Sequence, residues 1–171
     1  LEWVIPGLVE AFDRSGGAYP DLKEPMETIR SWDLQVSKEA VGMTLAHFYG
    51  LQYLRNGDFP NGLTSMQKKQ YMGKDSPDKE RLEMLQIVVD QLNEDFGTWN
   101  QPWGEVNRFQ RINGDIKALF DDVAPSIPVG LASGTWGSLA AYGMRGKQEV
   151  KKIYGTRGNS FVAVVEFGDK V

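Results

Sequence analysis

Phe161-Val162-Ala163-Val164-Val165-Glu166-Phe167 decides the fold class, because its β-branched and aromatic residues make it the strongest strand signal in the chain. A strand apolar on both faces belongs in the middle of a layered structure, with both edges paired. Gly168-Asp169-Lys170 after it reads as a hairpin turn, so the strand that returns from it is expected beyond Val171. Just upstream, Ile153-Tyr154 reads as a short strand, followed by a glycine-bounded turn at Gly155-Thr156-Arg157-Gly158. Residues 150–171 are therefore expected to supply strands of a sheet that is incomplete in this chain.

Upstream, residues 98–149 read as a linking region rich in Gly, Pro and Trp, with Trp99, Pro102-Trp103-Gly104, Pro125, Pro128, Gly130, Gly134 and Trp136-Gly137. Long irregular stretches of this kind are usually functional or braced by neighbouring structure. Residues 1–97 read as helices. Pro25 stands where a first-turn proline is tolerated and opens a helix through Met26, Ile29 and Trp32. Ser37 is the expected N-cap of the next, whose apolar positions Val41, Leu45, Phe48 and Leu51 are helically spaced and which stops at Asn56-Gly57. Ser76-Pro77-Asp78 predicts an N-cap serine, an N1 proline and an acidic first turn. Leu85, Val88, Val89, Leu92 and Phe96 make one stripe that Gly97 closes. The expected class is α+β, a helical lobe followed by strands, all within one larger domain. Leu1-Glu2-Trp3-Val4-Ile5 reads as an element already under way. With the missing return strand, it gives the expectation of one chain from a processed or incomplete protein.

Composition narrows the chemistry. The 171 residues carry a formal net charge of −4, which argues against nucleic-acid binding by phosphate neutralisation. No apolar run approaches the roughly 20 residues that span a bilayer, so no membrane partner is expected. Without cysteine there is no disulfide, zinc-thiolate site or thiol nucleophile, and the single histidine, His47, argues against a self-contained Ser-His-Asp triad. Chemistry must rest on carboxylates, amides and hydroxyls, or on groups from another chain.

Glu166 is the residue singled out, sharing a strand face with Val162 and Val164. It is either near a sheet edge in water or buried with a partner, and surface glutamates are the rule. Buried carboxylates of this kind often orient a histidine or an amine at a catalytic centre. Asn159 and Ser160 offer amide and hydroxyl groups in the preceding turn, where turn chemistry alone explains them. His47, among Leu45, Ala46 and Phe48, reads as a packed or surface side chain. Trp99, Trp103 and Trp136 read as core filling ahead of an aromatic platform for a sugar or acyl chain. Gly143-Met144-Arg145-Gly146-Lys147 lacks P-loop spacing, Asp121-Asp122 is too short a cluster for calcium, and the charges of 67–83 read as a solvated helical surface.

Tyr154-Gly155-Thr156-Arg157-Gly158-Asn159-Ser160-Phe161 with Val162 to Phe167 resembles the late β-subunit of the penicillin acylase family of N-terminal nucleophile hydrolases, especially its acyl-homoserine-lactone and aculeacin-type branch. Arg30-Ser31-Trp32-Asp33 with Ala40-Val41-Gly42 is similar to the family's helical region. Trp103-Gly104-Glu105-Val106-Asn107-Arg108 with Ile127-Pro128-Val129-Gly130-Leu131 resembles its link into the final sheet. The resemblance implies an αββα core, a serine exposed by self-cleavage whose own α-amine is the base, and an acyl-enzyme resolved by water. It implies a periplasmic or secreted enzyme acting on a small-molecule acyl amide. Its partners would be the remaining α- and β-subunit segments of the same precursor. No cofactor or metal falls in this segment, and the family's calcium ligands lie elsewhere.

In the family, the nucleophilic serine, the nearby histidine and the oxyanion asparagine all lie upstream of the region matched. The resemblance thus leaves this chain inactive by itself. It carries over one residue: Glu166 matches a glutamate that supports the catalytic histidine in the cephalosporin-acylase relatives, with Asn159 and Ser160 bracing the same sheet end. The alternatives are a β-lactam (penicillin or cephalosporin) acylase of the same family and a non-catalytic interaction module built on the Trp-rich loops.

Overall fold

A computed structural model of the chain describes residues 1–116, 118–136, 143–145 and 150–157. The class is α+β. Five helices come first: α1 (Val4–Ser15), α2 (Lys23–Ser31), α3 (Val41–Asn56), α4 (Ser65–Lys74) and α5 (Asp78–Phe96). The short α6 (Trp103–Val106) then leads into β1 (Asn107–Phe109), followed by β2 (Ile127–Pro128), β3 (Gly143–Arg145) and β4 (Ile153–Arg157).

The helical body closes over one apolar core. Val4, Leu8 and Ala11 of α1 and Leu85, Val88, Val89 and Leu92 of α5 recur at the i, i+3/i+4, i+7 spacing of one helix face and are buried against Leu45, Ala46 and Tyr49 of α3. Gly97 ends α5 in the left-handed region at φ 79°, its N–H donating to the Asn93 carbonyl. Helix α4 carries a feature absent from the expected pattern, a reciprocal cap. Thr64 Oγ1 accepts from Gln67 N, and Gln67 Oε1 accepts from Thr64 N at 2.9 Å.

Two expected helix starts move. Ser37 does not cap α3, whose N-cap is Ala40; its hydroxyl accepts from Glu39 N instead, in the strap between α2 and α3. Ser76 is not the cap of α5 but one position too early. It is buried, donates to the Met72 carbonyl, and accepts from Arg81 Nε at 2.8 Å. Arg81 corrects the reading of 67–83 as solvated surface. Its side chain is only 2 % exposed, and it also donates to the Met72 carbonyl and, through Nη1, to the Gly7 carbonyl. One guanidinium thus ties together α1, the end of α4 and α5. A planar group with donors spread over a fixed fork can do this; a point-charge ammonium cannot.

The sheet begins earlier than expected. Its order is β2-β1-β4-β3, with β1 antiparallel to β2, β1 parallel to β4, and β3 antiparallel to β4. Three of its four strands lie inside the stretch read as linking region. They are two or three residues long, and only their partners make them strands. The turn expected at Gly155-Thr156-Arg157 is likewise overridden: β4 runs on through Arg157, with Gly155 opposite Met144 and Asn107 opposite Ile153. Gly158 and the rest of that turn, the strand 161–167 and the hairpin turn after it lie outside the described residues.

Helices α1 and α4 cross at glycines. A β-carbon on Gly7 would overlap the Gly73 carbonyl, and one on Gly73 would overlap the Trp3 carbonyl. Alanine ordinarily gains up to about 1 kcal/mol over glycine inside a helix. Here the sign reverses: Gly7→Ala or Gly73→Ala is expected to cost about 1–3 kcal/mol through overpacking. Gly17→Ala, with open space around it, should leave the denaturation midpoint within the range of a neutral surface change. A Gly7→Ala protein at least as stable as the parent would refute the close crossing.

Candidate functional site at the helix–sheet junction

The side chains with chemistry to offer gather where the helical body meets the sheet. Trp32, the C-cap of α2, turns its ring over Gly42 of α3, where no β-carbon would fit, and packs against both apolar clusters. Its indole N–H donates to the Gln35 carbonyl at 2.8 Å, while Asp33 Oδ1 accepts from Gln35 N at 2.9 Å. These bonds hold Leu34 at φ 63°, a left-handed conformation that costs a leucine roughly 1–2 kcal/mol. The strap then passes between two glycines. The Lys38 carbonyl accepts from Gly104 N at 2.7 Å, and added β-carbons on Gly104 and Gly130 would press on Lys38.

On the sheet side, Asn107 is fully buried and its Nδ2 donates to the carbonyls of Val129 and Leu131, both at 3.0 Å. Trp103 Nε1 donates to the same Leu131 carbonyl. Arg108 spans Ser126 and the Gly104 carbonyl. Residues 126–131, two of them prolines or glycines that sequence reading leaves irregular, are thus held by side-chain donors from α6 and β1.

His47 of α3 is 1 % exposed, at ring-centroid distances of 4.8 Å from Trp103 and 6.2 Å from Trp136. Trp136 Nε1 donates to its Nδ1 at 3.0 Å, so the imidazole is neutral with its proton on Nε2. Burial first, and the Arg55 charge second, push its pKa down to about 3. Such a group is no general base for a reaction in solvent; it anchors Trp136. The Trp136 ring also lies on Gly50, and Lys69 of α4 donates to the Thr135 carbonyl with its ammonium 5.5 Å from the Trp136 ring centre. Trp103 and Trp136 therefore fill space around His47, while Trp99 packs at the edge of the helical core, and the three form no common platform.

The start of β4 is clamped by Asp122, passed over in the sequence as too short a calcium cluster. Its carboxylate accepts from Lys151 N at 2.6 Å, Lys152 N at 3.3 Å and the Tyr154 hydroxyl at 2.8 Å. Tyr154 stacks on Phe120 with centroids 4.7 Å apart. Burial and the Asp122 carboxylate push its phenol above the ordinary range, so it remains a neutral donor. Gln110 closes the loop, donating to the Asp121 and Ala124 carbonyls and accepting from Asp121 N. No sequence signal marks these hydrogen-bond partners, because they are 11 to 32 residues apart.

Glu166, Asn159 and Ser160 lie outside the described residues, in the stretch that follows β4. Among the described residues, no three carboxylate or histidine groups converge as a metal ion would need. No helix of the described residues is long and apolar enough to cross a membrane.

Unfolded His47 takes up its proton near pH 6.5 and folded His47 only near pH 3. Its contribution to stability is therefore complete above about pH 6.5 and drains as pH falls toward 3, by up to about 1.4 kcal/mol per pH unit. Denaturation measured at pH 7 and pH 5 should show a smaller acid loss in His47→Asn than in the parent; equal losses would contradict the buried neutral imidazole. Asp122→Ala should cost about 1.5–3 kcal/mol, the scale of hydrogen bonds to a charged acceptor. Tyr154→Phe, which removes only one of the three donors, should cost less. No family model matches this chain, and no curated protein matches it.

Proposed function

We propose that this chain is a C-terminal portion of the β-subunit of a penicillin acylase-family amidohydrolase. The enzyme deacylates N-acylated small molecules, acyl-homoserine lactones or other aliphatic acyl amides, in the periplasm or outside the cell. The observation that carries the reading is spatial. The stretches whose sequences resemble the family, around Trp32 and Gly42, Trp103 to Arg108, Ile127 to Leu131, and Tyr154, are distant in sequence and meet in one packing unit.

In this reading the sheet that holds β1 and β4 belongs to an αββα core. The nucleophilic serine, its α-amine and the oxyanion donors come from polypeptide outside this chain. The serine attacks the amide carbonyl, the amine leaves with the serine's proton, and water hydrolyses the acyl-enzyme. Glu166 is a positioning residue that holds the catalytic histidine through its carboxylate, with Asn159 and Ser160 in supporting roles. The asparagine side chain of Asn107 and the Asp122 clamp fix the strands from which that segment departs. Burial of Trp103 and the packing of Trp136 on Gly50 of α3 support the enzymatic reading over the rival interaction module.

Denaturing intact-mass analysis of everything that purifies with the chain tests the reading. A companion polypeptide beginning with serine, together with release of fatty acid from an acyl-homoserine lactone, is the expected result. A single 19.2 kDa species in a preparation that hydrolyses acyl amides unaided would overturn it. In the complete enzyme, Glu166→Gln should lower turnover or maturation; unchanged single-turnover acylation, deacylation and self-cleavage would remove that role.

A further inference from the structure

The chain contains three Asn-Gly pairs, Asn56-Gly57, Asn61-Gly62 and Asn113-Gly114. Glycine leaves the following backbone nitrogen unshielded and free to swing, so each pair is chemically able to cyclise. The fold treats them differently. Asn56 closes α3, and the Gly57 N–H is committed to the Tyr53 carbonyl at 2.7 Å, so its nitrogen points back into the helix. Asn113 is half-buried, and its Nδ2 donates to Asp115 Oδ2 at 3.0 Å, which restrains the rotation that attack by Gly114 N requires. Asn61 and Gly62 are both exposed, in the turn between α3 and α4. Gly62 sits at φ 82° with nothing within 4 Å of where a β-carbon would be, and its N–H makes no backbone hydrogen bond among the described residues.

We infer that Asn61 is a site of spontaneous covalent modification, at which the folded chain converts asparagine to a mixture of aspartate and isoaspartate. The Gly62 nitrogen bonds to Asn61 Cγ, the bond from Cγ to the side-chain nitrogen breaks, and ammonia leaves with the proton given up by Gly62. Water then opens the cyclic imide at either carbonyl, giving aspartate or isoaspartate; no oxidation or reduction occurs. The isoaspartyl product routes the main chain through an extra methylene three residues before Thr64. That disturbs the turn that delivers Thr64 and Gln67 to their reciprocal cap on α4. The same helix holds Thr135 through Lys69, so the altered turn lies upstream of the contact that seats Trp136.

The full chain, incubated folded at mildly alkaline pH and sampled by peptide mapping, tests this. The expected result is that amide-to-acid mass gain at Asn61 outpaces that at Asn113 and Asn56 by at least about tenfold, because the other two must first open locally. Enzymatic carboxyl methylation should label the Asn61 peptide, reporting isoaspartate. In denaturant the three rates should converge. Asn56 or Asn113 converting first, equal rates at all three in the folded chain, or no conversion at Asn61 would each overturn the inference. Asn61→Gln, at an exposed position, should abolish the label without changing the denaturation midpoint.

Discussion

The hydrogen bond from Gly104 N to the Lys38 carbonyl is the contact on which the relation between helices and sheet depends. It joins two backbones directly, and it exists because neither Gly104 nor Gly130 carries a side chain that would hold the strap at 37–40 away. Backbone contact of this closeness leaves no slack for sliding. The partners of Trp103, Asn107 and Arg108 are then placed by the same approach, since their acceptors lie on residues 126–131 and on Gly104 itself. Side-chain donors satisfy the carbonyls of a stretch too irregular to satisfy its own, which is the accounting that buried backbone demands.

A second constraint acts inside the helical body. Arg81 brings a charge into an apolar core and spreads it over the Met72 and Gly7 carbonyls and the Ser76 hydroxyl, with Asp78 3.5 Å away. Such a group stabilises only while every partner stays in place, so it specifies one arrangement of α1, α4 and α5 more than it adds net stability. The glycine crossing of α1 over α4 imposes the same selectivity by shape.

The helical half was largely legible because its signals are local. The stripe from Leu85 to Leu92 and the stop at Gly97 follow from residues within a few turns of one another, whereas of the four positions expected to face the core from α3 only Leu45 is fully buried, because that helix is enclosed on nearly all sides. What escaped was set by distant partners. Arg81 looked like surface because a lone arginine on a charged helix gives no sign of carbonyls 9 and 74 residues away. Ser76 misled by one position for the same reason, its hydroxyl serving Arg81 instead of the helix end. Strand β1 is three residues with asparagine and arginine in it, and only Ile153 and Tyr154 across the sheet make it a strand. Of the candidate site, the stretches around Trp32, Trp103 and Ile127 were visible one by one in the sequence, and their meeting was not. Asp122 had the right residue type and the wrong expected job, while Glu166, Asn159 and Ser160 stand beyond β4, outside the described residues.

The parallel pairing of β1 with β4 also bears on how the chain reaches its structure. Asn107 and Ile153 lie 46 positions apart in sequence, and among the described residues only short strands and turns lie between them. Loop closure of that length is entropically costly before any strand bond forms, whereas the helices need only short-range contacts. Topology therefore favours an order in which the helical body assembles ahead of the sheet, with the Lys38 strap already in place when the strands pair. Until the sheet pairs, the backbone N–H and C=O groups of its short strands lack their partners, which is the exposure that makes late-pairing sheets vulnerable to aggregation.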